Sequence, residues 1–476
     1  MKNKKLYILA ILAIALSSCK KELDEVNINP NAPEIPLPDY LLTGTTKVTA
    51  DTYWGVTNNM NSSLLFAQQW AKVQYTEEDR FIFSNSSFTS LWATGYAQSI
   101  AGFNKIIELG DAQANPNYKG VALVLRSWTF LLLTDAYGDV PYTQAGKIKQ
   151  FVTPVYDKQK DVYYGILSDL KSAQATLDPA GKAIAGDVIY GNSIALWKKF
   201  ANSLRLRTAL RIADKDPVKA KQVIDEIQAE GGAYISSNGD NATLKYDVSP
   251  QQNPVAASFE TRNDYRISKT IVDKLSALND PRLPIYVSRT ENEPKGYVGI
   301  PNGSTNSEAS AIGLANSSKP GSYFLDPKAP AVIFSYAELL FDRAEAAARG
   351  FTTENAEDLY KQAIKASFLQ YNIGGTVADD YINQQGVVYN AANYKKSIGE
   401  QKWLALFGQG LEAWTEQRRL DYPQLTASVN TVLNGKIPVR FIYPGSEQSL
   451  NGQNYKSAVA SQGADLLTTK LWFDAF

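Results

Sequence analysis

The sequence of 476 residues contains no histidine, a single cysteine and only two methionines. Without histidine there can be no Ser-His-Asp triad, no histidine metal site and no histidine general base. A single cysteine cannot form an intramolecular disulfide bond. Enzymatic activity would therefore have to rest on carboxylates, lysine, tyrosine or a metal bound through oxygen atoms, and no cofactor is indicated.

The chain also lacks an excess of charge of either sign. Lys plus Arg and Asp plus Glu number 48 each, which gives a formal net charge of zero. Because nucleic-acid binding requires a basic surface, we expect no nucleic-acid partner. The hydrophobic content of 44% is typical of a globular protein. Its length exceeds that of one ordinary hydrophobic core, which predicts one large domain with insertions or two coupled lobes.

The chain begins with a pattern typical of a secretory signal peptide, predicted over residues 1–18. Three lysines within residues 2–5 precede an apolar run over residues 6–16, and two serines follow. The run is shorter than the ~20 residues that a membrane-spanning helix needs. The stretch from Leu16 to Cys19 resembles a bacterial lipobox. That resemblance implies a lipid, diacylglycerol plus an acyl chain such as palmitate, on Cys19, since the thiolate is the required nucleophile.

Residues 19–39 are predicted to form a lipidated, extended tether. Four prolines and three asparagines over residues 26–39 argue against a regular helix. The acidic residues soon after Cys19 resemble a signal that sends some lipoproteins of Gram-negative bacteria to the outer face of the outer membrane. The alternative for Cys19 is a buried structural cysteine that follows an ordinary signal peptide.

Hydrophobic periodicity predicts a mostly α-helical fold for residues 40–476. The predicted helices cover residues 62–74, 90–109, 118–137, 161–177, 193–213, 217–230, 336–349, 354–371 and 394–418. Trp197, Phe200, Ala201 and Leu204 follow the large and small spacing of a tetratricopeptide helix. We therefore predict helical repeats at about 90–230 and 335–420. Irregular insertions are expected at 231–334 and 374–393, and an irregular C-terminal part with a strand-like piece at 439–443 is expected over 426–476.

Several stretches, in order along the chain, resemble the SusD/RagB-type nutrient-binding lipoproteins of the outer membrane. They are LVLRSWTFLLLTDAYGDVPY (123–142), DVYYGILSDLKSA (161–173), SYAELLFDRAEAAARG (335–350), WTEQRRLDYPQL (414–425), PVRFIYPGSE (438–447) and KLWFD (470–474). LNDPRLPIY (278–286) is similar to a motif of one branch of that family. Residues 58–90 match no stretch of the family that can be aligned.

The resemblance implies a helical fold with four tetratricopeptide-like pairs and no catalysis. It further implies a lipid-tethered protein at the cell surface that binds an oligosaccharide or a peptide. Its implied partner is a SusC-like, TonB-dependent transporter barrel, on which the protein sits as a lid. Two alternatives remain open: a surface glycoside hydrolase that uses Asp and Glu, and an adhesive or scaffolding lipoprotein.

Candidate ligand contacts lie in two separate stretches of the sequence. The first, residues 70–85, is dense in rings and hydrogen-bonding groups, a combination suited to the apolar faces and hydroxyl rim of a sugar. We predict that Tyr75, Arg80 and Phe81 are exposed there and that Asn85 also contacts ligand. The alternative is a loop packed on the repeats, with Arg80 paired to Glu77 or Asp79. Trp92 and Tyr96, spaced as on a helix, are expected in the core.

The second stretch, residues 262–266, supplies Arg262 and Tyr265 as candidate ligand contacts. The alternative is a solvated helix start with Asp264 as its cap. Three consecutive carboxylates at residues 77–79 suggest paired catalytic acids or a Ca²⁺ site, but their spacing supports neither, and no metal site is predicted. Arg418 and Arg419 are interpreted as part of a structural ion-pair network.

Overall fold

The computed structural model describes residues 36–292, 296–428 and 430–475. The predicted signal peptide, Cys19 and most of the predicted tether lie outside these residues. The tether was expected to extend to residue 39, but the first helix begins at Pro38. Proline suits the first position of a helix because its fixed φ angle fits there and its missing N–H would have no partner.

The described residues are 54% helix and 4% strand, which confirms the mostly helical fold. The helices of the N-terminal half are α1 (Pro38–Trp54), α2 (Leu64–Phe66), α3 (Thr89–Thr94), α4 (Ala101–Ala112), α5 (Pro116–Tyr137), α6 (Gln159–Thr176), α7 (Ile194–Ile212) and α8 (Pro217–Ala229). Two π-helical segments, Val56–Ser63 and Gly95–Ile100, lie directly before α2 and α4.

The second half contains shorter helices and all but one of the strands. Its helices are α9 (Pro254–Thr261), α10 (Lys269–Ala277), α11 (Leu283–Tyr286), α12 (Asn306–Ile312), α13 (Ser322–Leu325), α14 (Tyr336–Ala348), α15 (Ala356–Leu369), α16 (Val377–Ile382), α17 (Tyr394–Ala405), α18 (Gly410–Leu420), α19 (Gly445–Leu450) and α20 (Gly452–Gln462). Short 3₁₀ turns lie at Asn238–Asp240 and Ala391–Asn393.

Two small antiparallel sheets connect distant parts of the chain. β1 (Trp70–Lys72) pairs with β3 (Tyr265–Ile267), and β2 (Ala242–Leu244) pairs with β4 (Ala331–Phe334). Three of these strands fall in the stretch 231–334, which was expected to be irregular. The strand expected at 439–443 is absent from the described residues, and the C-terminal part forms α19 and α20 instead.

The long helices α4 to α8 pack side by side in chain order, and α14 connects them to α15 and α17. The repeat positions Trp197, Phe200, Ala201 and Leu204 on α7 are all fully buried, as expected for interlocking helices. α5 is buried on nearly every side, including Trp128 and Leu133. These contacts produce one continuous hydrophobic core.

Two predicted helices are interrupted where they meet one another. The stretch 62–74 forms the end of a π-helix, then α2, then β1, and the stretch 394–418 divides into α17 and α18. Asn59 donates to the carbonyl of Gly408 at 3.0 Å and accepts from Gly410 N at 2.9 Å. Gly408 has φ +87°, which ends helical geometry there. The side chain of Asn59, far away in sequence, thus forms hydrogen bonds with the backbone groups between α17 and α18.

A buried network of ion pairs joins α7, α14, α17 and α18. Its members are Arg207, Arg211, Glu338, Asp342, Glu345, Lys402, Glu412, Glu416 and Arg419. Lys402 donates to Asp342 at 2.5 Å and to Glu416 at 2.7 Å, and all three side chains are buried. Arg419 belongs to this network as predicted. Arg418 instead lies 3.6 Å from the Trp414 ring and donates to backbone carbonyls.

Candidate functional site

The pairing of β1 with β3 brings together the two stretches in which ligand contacts were predicted. Lys72 lies opposite Tyr265 in the register of this sheet, although the two residues are far apart in sequence. The loop that follows β1, residues 73–88, is called here the tyrosine loop because Tyr75 lies at its exposed edge. The stretch with Arg262 therefore lies beside this loop.

Lys72 is a buried cation that connects the two stretches. Its ammonium group lies 2.8 Å from Glu78 and 3.2 Å from Asp264, and 5.0 Å from the centre of the Tyr265 ring. A buried charge is strongly unfavourable unless it is paired. Because both acids satisfy one lysine, the tyrosine loop is held against the start of β3.

Arg262 remains exposed, with 42% of its side chain accessible to solvent. Its guanidinium donates to both oxygens of Asp264, at 3.0 and 2.9 Å. Burial disfavours the charged form of Asp264, but the bonds from Arg262 and the charge of Lys72 outweigh burial and hold its pKa below the ordinary value. The proposed alternative of a helix start capped by Asp264 is wrong, since a strand begins at residue 265.

Two of the predicted contacts are buried, and the exposure expected of Phe81 is therefore wrong. Phe81 is 2% exposed and packs edge-to-face against Phe66, with ring centres 5.7 Å apart. Tyr265 is fully buried, and its hydroxyl donates to Asn61 at 2.6 Å. Aromatic residues fill cores as readily as they form binding surfaces, and sequence alone does not separate the two uses.

Tyr75 is the most exposed ring of the predicted set, at 65%. Its backbone adopts φ +52°, an uncommon conformation for a residue with a Cβ atom. The next residue fixes this geometry, because Thr76 N donates to the Asn306 side chain at 3.1 Å. Unusual backbone conformations of this kind persist only where surrounding contacts enforce them, and they often lie in ligand-binding loops.

Arg80 and Asn85 lie further along the tyrosine loop. Arg80 is half-buried, and its Nε donates to the carbonyl of Asn430 at 3.3 Å, so it is paired to neither Glu77 nor Asp79. Asn85 is exposed, and its backbone carbonyl accepts from Gly445 N at 3.1 Å. The loop is thus supported at Arg80 and at Asn85 by segments from the C-terminal part of the chain.

The support of the tyrosine loop includes residues that the sequence analysis missed. Asn306 donates to Glu77 at 3.1 Å, and Asn430 donates to Glu308 at 2.8 Å. Glu308 also closes a capping box with Thr305 at the start of α12. The Thr-x-x-Glu spacing was a detectable sequence signal for that helix. Together these side chains form a polar rim beside Tyr75.

Asp79 lies beneath this rim and is fully buried. It accepts hydrogen bonds from the Asn302 side chain at 2.8 Å and from Lys72 N at 3.2 Å. Burial raises the pKa of Asp79 to about 7, against these hydrogen bonds and the charge of Lys72, which lower it. A carboxyl group without solvent access cannot reach a substrate, so Asp79 cannot be one of a pair of catalytic acids.

Trp92 is buried at 7% exposure, as expected for the core, and Tyr96 is half-buried, with its hydroxyl bonded to the carbonyl of Pro141 at 2.8 Å. Within residues 36–292, 296–428 and 430–475, no group of acidic residues has the arrangement of a metal site. No helix in the same ranges combines the length and apolarity required to cross a bilayer.

The chain belongs to the SusD-like family, since the family model described as "Starch-binding associating with outer membrane" matches residues 30–444. This is a family of carbohydrate-binding proteins associated with the outer membrane, and its members are binding proteins rather than enzymes. The resemblance drawn from the sequence motifs is therefore confirmed.

Solved structures share this fold over nearly their whole length. A chitin-binding protein is 28% identical, with a TM-score of 0.83, and the match covers 92% of this chain and all of the other. A SusD homologue from Bacteroides uniformis is 26% identical with the same TM-score and the same coverage. A Bacteroidetes SusD-like protein is 25% identical, with a TM-score of 0.81, and the match covers 93% of this chain and all of the other. Among proteins of curated function, none matches the chain.

Proposed function

We propose that this protein is a lipid-anchored, surface-exposed lipoprotein that captures an oligosaccharide and delivers it to a TonB-dependent transporter barrel, for which it acts as a lid. The observation that carries the binding role is the exposed Tyr75 ring, held by a well-supported loop beside a polar rim. The tether through Cys19, outside the described residues, would keep the domain close to the transporter.

The chemistry of this surface suits a sugar. The ring of Tyr75 offers a face for the C–H groups of a pyranose, which are apolar. Asn85 on the same loop and Arg262 on the adjoining stretch are exposed and offer donors and an acceptor for hydroxyl groups. Because Arg262 is already held by Asp264, its guanidinium is pre-oriented, and little conformational entropy is lost on binding. A peptide ligand could use the same ring and the same donors.

A tether increases the effective concentration of the captured ligand at the transporter, so moderate affinity is sufficient for the proposed role. We therefore expect weak, reversible ligand binding. The chain's balanced charge gives it no general attraction for anionic lipid, so the lipid on Cys19 would supply the membrane attachment.

The binding role is tested by titrating oligosaccharides and short peptides into the protein by calorimetry. For the ligand that binds best, Tyr75→Ala should lower the affinity about tenfold or more, which corresponds to ~1.4 kcal/mol. Tyr40→Ala is the matched control, because Tyr40 is also highly exposed, at 74%, but lies on α1 away from the tyrosine loop. Equal affinities for the wild type and the Tyr75 variant would contradict the proposed site.

A further inference from the structure

A group of exposed apolar side chains lies on the loop that connects α5 to α6 and on helix α19. Its members are Ile148, Phe151, Val152 and Val155 on the loop after α5, and Leu450 on α19. This set is called here the apolar ridge. Ile148, Val152 and Leu450 are 73%, 81% and 76% exposed. Clusters of this kind are rare on proteins that work alone, and they mark interaction surfaces.

The ridge borders a groove of about 440 Å³. Trp92 and Tyr96 line one wall, Ile148 and Phe151 line another, and Glu447 also contributes. Glu447 accepts a hydrogen bond from Tyr156 at 2.6 Å, which fixes the carboxylate in place. The recess is large enough to take one or two side chains of a binding partner.

The loop that carries the ridge is held in place by hydrogen bonds. Asn454 donates to the carbonyls of Thr153 and Pro154 at 3.0 and 3.2 Å, and Asn451 donates to Pro154 at 2.9 Å. Val155 N donates to the side chain of Gln144 at 2.9 Å. Because the backbone is fixed by these contacts, the apolar side chains are presented to solvent by the fold.

Two lysines flank the apolar residues. Lys147 and Lys149 are exposed, and Lys147 donates to the carbonyl of Thr143 at 2.8 Å. In the part of the chain that the structure describes, neither lysine has a carboxylate within ion-pair distance. A complementary surface would therefore carry acidic groups around apolar ones.

A protein surface fits these features better than a lipid surface does. A bilayer could receive the protruding side chains, but it would leave the recess unfilled. The ridge also adjoins the ligand surface, because Asn85 of the tyrosine loop bonds to Gly445, two residues before Glu447. A partner docked on the ridge would lie next to the proposed ligand.

We propose that the apolar ridge and its groove dock the transporter barrel, through a barrel segment that inserts an apolar side chain into the groove and places carboxylates near Lys147 and Lys149. This inference rests on the transporter partner of the proposed function and assigns the surface that binds it. The ridge would bring the barrel to the edge of the tyrosine loop.

The test uses the full lipidated chain, tagged and extracted from its native outer membrane in mild detergent. The amount of TonB-dependent barrel per copy of the protein is measured by quantitative mass spectrometry. We expect Val152→Asp and Lys149→Glu each to lower this ratio at least fivefold. Val218→Asp on α8 is the matched control, because Val218 is 79% exposed but lies outside the ridge, and it should retain the barrel.

The outcomes separate the inference from the proposed function. If the wild type and both ridge variants retain the barrel equally, the docking surface is wrong and the transporter role stands. If the wild type retains no barrel, the transporter role fails and the docking surface fails with it, while ligand binding at Tyr75 is still measurable. Each variant is first shown to bind ligand normally, which excludes misfolding as the cause of a loss.

A lipid contact is tested separately with vesicles of phosphatidylethanolamine and phosphatidylglycerol. The full chain with Cys19→Ala, which cannot be lipidated, should not sediment with these vesicles. Sedimentation that disappears in Val152→Asp would show that the ridge enters the bilayer, and it would overturn the docking of a protein there.

Discussion

Asp79 makes the stability of the ligand surface depend on pH. Its pKa is raised to about 7 in the folded protein, whereas the ordinary value is 3.8. Between these two pH values, the folded protein therefore keeps a proton on Asp79 that the unfolded chain has lost. The resulting stabilisation is complete below pH ~4 and is lost as the pH rises through about 7. A shift of about three units corresponds to ~4 kcal/mol.

The perturbation is Asp79→Asn, which keeps the side-chain shape and has no titrating proton. One oxygen can still accept from Asn302, as Asp79 does at 2.8 Å. At pH 5 the variant should be more stable by only about 2 kcal/mol, because pH 5 lies about one unit above the pKa of the unfolded chain and the wild type has lost only part of its stabilisation. At pH 8 the variant should be more stable by up to ~4 kcal/mol, because the wild type then carries a buried charge.

The assay is urea unfolding at pH 5, 6, 7 and 8, followed by tryptophan fluorescence and by circular dichroism. Only the difference between variant and wild type is interpreted, because other buried carboxyls, such as Glu338 with a pKa raised by burial to about 8, titrate in both proteins. Asp273→Asn is the control, since this side chain is 60% exposed. A difference for Asp79→Asn that is the same at pH 5 and pH 8 would refute the reasoning.

Two further predictions concern the scaffold. Lys402→Met should lower the free energy of unfolding by about 3–5 kcal/mol, because it leaves Asp342 and Glu416 buried without their cation. As a control, Lys221→Met removes an exposed ion pair with Asp225 and should lower the free energy of unfolding by less than ~0.5 kcal/mol. Denaturant unfolding of both variants measures this, and equal small effects would contradict it. Gly138→Ala should be more destabilising than Gly350→Ala. Both glycines have positive φ, but only at Gly138 would the added Cβ lie 2.2 Å from Gln462 Oε1. Thermal melting of the two variants compares their stabilities.

Long helices with regular periodicity could be predicted from the sequence. α5, α6, α7 and α8 lie within one or two residues of their predicted bounds. Their boundaries depend on local signals, such as Asp216 accepting from Lys219 N at the start of α8. Local interactions of this kind are present in the sequence itself, so pattern and propensity are sufficient to find them.

The interruptions near Asn59 and Gly408 could not be predicted in this way. The stretch 56–63 is held in a π-helix partly by its own serines, for example Ser63 Oγ donating to the carbonyl of Asn58 at 2.7 Å. The deciding contacts, however, join Asn59 to Gly408 and Gly410, some 350 residues away. Periodicity within one helix contains no information about such a partner.

In the candidate site too, some features could be predicted from the sequence, whereas others depend on contacts between distant parts of the chain. Residue chemistry correctly predicted that Tyr75 is exposed, but it did not reveal that Arg80 is half-buried or that Phe81 and Tyr265 are buried. The burial of Tyr265 depends on the pairing of two three-residue strands separated by almost 200 residues, and Phe81 is buried against Phe66. Strands this short carry too little pattern to specify their partner, so their register becomes visible only in the folded structure.

The buried ionisable side chains beneath the tyrosine loop hold the ligand surface in place and make its stability depend on pH. Lys72 ties the loop to β3 through Glu78 and Asp264, and removing Lys72 would take away the cation that these two acids share. Asp79, in the same layer, bonds to Asn302 and so connects the loop to the segment that leads into α12. The exposed ring of Tyr75 therefore takes its position from contacts in three separate parts of the chain.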